Sequence, residues 1–198
     1  MHYVFLLGVL FITVLSAGTT KQVPASSPAS VIERHAYVGA GYSSFVLQDE
    51  VTEEELSSGV FLLLVGYQFT ENFSLEGRFY RNTDEKIDYD PGNRPSPHAT
   101  YKSTFSNSAV FLKASYPISK FEVYGLLGYG RVKLTNIAGG DREESGVQYG
   151  LGLSYRVSAH VDIFADWVRA YDDSGFDGRA KNDGITVNLL SFGMRYLF

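Results

Sequence analysis

The sequence predicts an all-β chain, an eight-stranded antiparallel transmembrane β-barrel wound as an up-and-down meander. Three observations predict it. After residue 35 apolar residues recur with the strand period of two. The links between these periodic stretches alternate between short and long. The polar face of the strands carries as many acids as bases. Composition agrees: 14 Tyr, 14 Phe and 20 Gly in 198 residues favour strands and turns over helices.

The chain begins with an apolar run, Val4 to Leu15, broken only by Gly8 and Thr13. It is shorter than the ~20 residues a membrane-spanning helix needs. Ser16, Ala17 and Gly18 follow. Residues 1–18 therefore read as a signal peptide, although only His2 stands where a Lys or Arg is expected. Residues 19–35, with Pro24, Ser26, Ser27 and Pro28, read as a flexible periplasmic lead-in. The barrel is assigned to 36–198. No later segment approaches a membrane helix, so strands must carry the chain across a bilayer.

The strands follow in order: Ala36 to Val46, Val60 to Phe69, Phe73 to Arg81, Asn107 to Tyr116, Phe121 to Leu134, Val147 to Val157, Val161 to Tyr171 and Leu190 to Phe198. The sixth is the clearest. Val147, Tyr149, Leu151, Leu153, Tyr155 and Val157 share one face, against Gln148, Gly150, Gly152, Ser154 and Arg156 on the other. Short links fall at Thr70 to Asn72, Pro117 to Lys120 and Ser158 to His160. The other four, at about 47–59, 82–106, 135–146 and 172–184, are long and polar. Short turns at one end and long loops at the other is the plan of a membrane barrel. An even strand number puts both termini at the short-turn end.

Alternation alone does not say which face is inside. Assigning the polar face to the lumen collects Glu76, Arg78, Lys113, Glu122, Arg156, Asp162, Asp166 and Arg195, four acids and four bases. Balance suits a narrow interior, where each buried charge needs a partner. Glycines spaced by two (Gly39 and Gly41, Gly128 and Gly130, Gly150 and Gly152) fall on the same face and leave room for Tyr37, Tyr124 and the long ionic side chains. The apolar face carries Phe69, Phe73, Tyr116, Phe121, Tyr155 and Phe198 near the short turns. Tyr42, Phe61, Phe79, Tyr129 and Trp167 lie nearer the long loops. Two aromatic belts are expected of a membrane barrel.

Several function classes are excluded or disfavoured. With no Cys there are no disulfides and no thiolate metal sites. A net charge of −5 disfavours nucleic acid as a general partner. The Gly-x-Gly pairs lack the third glycine and the following helix of a dinucleotide site, so no cofactor is expected. Of four histidines only His98 sits in a long loop, inside a Pro-rich stretch poorly suited to the fixed geometry catalysis needs. Acidic residues cluster in the first loop (Asp49, Glu50, Glu53, Glu54, Glu55) and the fourth (Asp172, Asp173, Asp177, Asp183). Their spacing is not that of a calcium loop, and a solvated surface is the expectation, with no metal site. An eight-stranded barrel is only wide enough for its own side chains, which argues against a wide pore.

The stretches AYVGAGYSSF (36–45), GYQFTENFSLEGRFYR (66–81), FEVYGLLGYGRVKL (121–134), YGLGLSYRVSAHVDIFADWVRAY (149–171) and the terminal LLSFGMRYLF resemble the OmpA-like and OmpX-like eight-stranded outer-membrane barrels over residues 36–198. The resemblance implies a bacterial outer-membrane location with periplasmic termini. Its partners would be outer-membrane lipid and lipopolysaccharide, and the barrel-insertion machinery during assembly. It also implies that Leu190, Phe192, Met194, Tyr196 and Phe198 form the membrane-insertion signal. No peptidoglycan-binding domain of the OmpA type is expected after the barrel. A His-x-Ser of the lipid A deacylase kind is absent. The expected function is non-enzymatic: a membrane anchor presenting four loops for a structural or surface-interaction role, with an unknown ligand. The alternatives are a narrow ion channel and a lipid A-modifying enzyme.

Overall fold

The computed structural model describes residues 36–49, 53–84, 86–92, 97–137, 140–173 and 184–198. The signal and lead-in assigned to 1–35 lie outside them, as do Glu50, Asp177 and Asp183 of the acidic loops. Among the described residues ten strands are formed: β1 (Ala36–Asp49), β2 (Glu55–Gln68), β3 (Phe73–Asn82), β4 (Lys86–Asp90), β5 (Ala99–Lys102), β6 (Thr104–Ile118), β7 (Phe121–Ile137), β8 (Gly140–Arg156), β9 (Val161–Asp173) and β10 (Ile185–Leu197).

Eight of them, β1, β2, β3, β6, β7, β8, β9 and β10, pair antiparallel in sequence order, and β1 pairs with both β2 and β10. The sheet is thus a closed barrel with no free edge along its wall. Following paired residues around it from Arg131 leads through Ser108, Phe79, Leu63, Ala40, Met194, Ile163 and Tyr155 to Phe121, ten positions back along β7. This stagger requires the strands to tilt by about 40°.

β4 and β5 are a continuation of the wall. β2 pairs with β3 up to Val60↔Asn82, then with β4 from Ser57↔Asp88. β5 leads directly into β6. The Asn82 side chain spans the break. Its amide donates to the Ser103 carbonyl (2.9 Å) and its oxygen accepts from the Phe105 N–H (3.0 Å). The hairpin therefore rises out of the barrel mouth on the β3–β6 side, within the 82–106 segment expected to be loop.

The short turns are as expected. Ile118 pairs with Phe121 across Ser119 and Lys120, with Ser119 at φ 59°. A positive φ at the first central residue fits the right-handed twist of a two-residue hairpin. The loop end differs. Gln48 still pairs with Glu55, Ile137 with Gly140, and Asp173 with Ile185. The strands run well into three segments read as loops.

Candidate functional site: a lumen in two zones

Near the short turns the inward positions hold ionic and phenolic groups. Arg78 of β3 joins three partners: Nε to Glu76 Oε1 (2.5 Å), Nη2 to Asp166 Oδ2 of β9 (2.8 Å) and Nη1 to the Tyr80 hydroxyl (3.1 Å). Tyr37 of β1 donates to Glu76 (2.6 Å), and Tyr124 of β7 donates to Asp166 (2.8 Å). The group thus ties β1, β3, β7 and β9 together across the bore. Glu76, Arg78 and Asp166 are at most 4% exposed. A buried carboxylate is tolerated only when paired and hydrogen-bonded, and here both carboxylates are.

A second group lies closer to the short-turn end. Glu122 accepts from Lys113 (2.7 Å), Ser154 (3.2 Å) and Arg195 (3.3 Å). Arg156 grips both oxygens of Asp162 (2.8 and 3.2 Å). Arg195 stands over the rings of Tyr37, Tyr124 and Phe164 at 5.5 to 5.7 Å, within cation–π range. The structure therefore places the eight charged residues singled out from sequence in two adjoining clusters. Arg156 alone is well exposed, its side chain 48% accessible at the mouth. Asp166 Oδ1 and Arg195 Nε are buried without a protein partner. A cavity of about 260 Å³ opens at this end beside Lys113, Glu122 and Arg195.

Glycine makes the room. A Cβ at Gly66 would fall on the Tyr37 ring, and one at Gly152 on the Tyr124 ring. The two tyrosines lie against bare backbone, which puts their hydroxyls within reach of Glu76 and Asp166.

Toward the long loops the lumen changes character. Phe45 and Phe105 stack with centroids 3.9 Å apart. Around them Val60, Leu62, Val132, Leu134, Val168, Val187 and Leu189 are all at most 1% exposed. Ile87 of β4 is buried with them. At the boundary between zones Asn107 and Gln148 exchange amide hydrogen bonds (3.1 and 2.9 Å), and Ser43 donates to Ser191 (2.8 Å). The expectation of a polar lumen thus meets a correction in the upper half, where the inward face is apolar.

The outer face switches in the opposite sense at the same level. Below, exposed apolar residues line the wall. On β8 and the residue that follows it they run from Val147 through Leu151 to Val157. Ten residues at about 3.3 Å each, tilted by about 40°, give roughly 25 Å of height, the thickness of an outer-membrane apolar band. Above it most outward positions are polar: Ser44 and Gln48 on β1 (with Val46 between them), Ser106 and Ser108 on β6, Arg131 and Lys133 on β7, Glu143 and Ser145 on β8. The signal for this was present in sequence, as polar residues on the parity that had been apolar. On β8 the apolar stripe stops there, at Val147 where the expected strand began, whereas the expected strands Ala36 to Val46 and Phe121 to Leu134 already ran past Ser44 and past Arg131 and Lys133.

Leu190, Phe192, Met194, Tyr196 and Phe198 all point outward, 47% to 64% exposed. The His160 ring stacks on Tyr196 (5.8 Å) and Tyr196 meets Phe198 edge-on (5.2 Å). His98 is 77% accessible, with Nδ1 3.9 Å from Asp90. Among the described residues no three His, Asp or Glu side chains are grouped to hold a metal ion.

A wall apolar outside and ionic inside over one bilayer thickness is what a membrane barrel requires, and comparison with known proteins agrees. Residues 8–198 match the outer membrane protein beta-barrel domain family. The chain belongs to that family. Its place is the outer membrane. Solved barrels share the fold at low identity. Ail of Yersinia pestis, solved in complex with the heparin analogue sucrose octasulfate, is 21% identical over 84% of this chain and 100% of its own, with a TM-score of 0.56. Neisserial surface protein A is 18% identical over 82% and 97%, at 0.54. The N-terminal barrel of Pseudomonas aeruginosa OprF is 12% identical over 83% and 98%, at 0.56. No curated protein matches the chain in sequence.

Proposed function

We propose that this protein is a non-enzymatic outer-membrane anchor. Its lumen is closed, and its role is carried by the loop end it presents outside the cell. The observation that carries the reading is the double closure of the bore. The Glu76–Arg78–Asp166 cluster crosses it below, and the Phe45–Phe105 packing fills it above. Both termini then lie in the periplasm, with the short turns. Ail and Neisserial surface protein A, both similar barrels, fit a surface role, and one of them was solved with a polysulfated sugar.

Conductance across planar bilayers tests the reading. The purified barrel should pass no resolvable current, and steady single-channel steps from the unmodified chain would replace the anchor with a narrow channel. The enzyme alternative is tested separately, by mass analysis of lipid A from cells with and without the protein. Unchanged lipid A is expected, including when His98→Ala is compared with the native chain. During assembly, Tyr196→Asp with Phe198→Asp should sharply reduce the outer-membrane level while export continues.

A further inference from the structure

We draw no further inference here: the strongest candidate, the cavity of about 260 Å³ at the short-turn end of the lumen, is ringed by the bases Lys113, Arg156 and Arg195 and by as many acids, Glu71, Glu122 and Asp162, so no excess of charge selects a ligand for it and its walls belong to the ionic closure already described.

Discussion

The lower barrel, from the short turns to Tyr129 and Trp167, and the upper barrel, from Ser108 and Arg131 to the loops, are built from the same strands with the same period of two. They are solved in opposite senses. Below, lipid surrounds the wall, so the outward face is apolar and the inward face takes the charges. Above, water surrounds it, so Arg131, Lys133 and Ser145 face out while Phe45, Phe105 and Val132 fill the centre. The upper barrel is in effect a soluble β-barrel standing on a membrane barrel. What the comparison teaches is that parity along a strand reports the side of the wall, and only the surrounding solvent decides which side is polar.

Removing charge from the lower half should have the largest effect. Arg78→Ala leaves Glu76 and Asp166 buried without their cation, at a cost of about 3–5 kcal/mol. The urea unfolding midpoint in lipid vesicles should fall accordingly. Replacing Glu76, Arg78 and Asp166 together by Leu, Met and Leu should recover most of that loss. A triple variant as unstable as Arg78→Ala would show that the ionic cluster is needed for more than mutual compensation.

The upper half should answer to volume instead of charge. Phe105→Ala empties space against Phe45 and should cost about 3 kcal/mol by the same measurement. The two closures act in series, so Arg78→Ala and Phe105→Ala should each stay non-conducting, and only their combination should pass ions. Current through either single variant would mean that one zone alone closes the bore.

A smaller effect tests the switch on the outer wall. Leu151→Arg, on the lipid face of β8, should cost about 2–4 kcal/mol, while Ser145→Arg, six residues nearer the loops, should cost about 0–1. Equal costs would move the membrane boundary. The smallest change expected is at the turn. Ser119 holds φ at 59°, a conformation glycine adopts freely, and Ser119→Gly should stabilise by about 0.5–1 kcal/mol. An unchanged or lower midpoint would mean that the serine is not strained there.

Much of this was legible in the chain. The alternation in Val147 to Val157 and in Leu190 to Phe198 marked the lipid face, and the short links Thr70 to Asn72 and Ser158 to His160 marked one end of the barrel. The eight lumen charges could be chosen because lipid leaves them no other side. Their partners could not be read. Glu76 and Asp166 are 90 residues apart in sequence and meet on Arg78 only because β3 and β9 face each other across a bore narrowed by the stagger of the strands.

By itself, then, the sequence determined the period, the positions of the short turns, the apolar band and the set of charges that had to be hidden. These follow from side-chain chemistry acting one strand at a time. Tertiary structure alone decided which charge meets which, that β4 and β5 prolong the wall, and that the lumen divides into an ionic and an apolar zone. Closure sets the first by bringing distant strands face to face. The height of each residue relative to the bilayer sets the last, because a side chain's best direction depends on whether lipid or water lies outside it, and that height exists only once the barrel is closed and tilted.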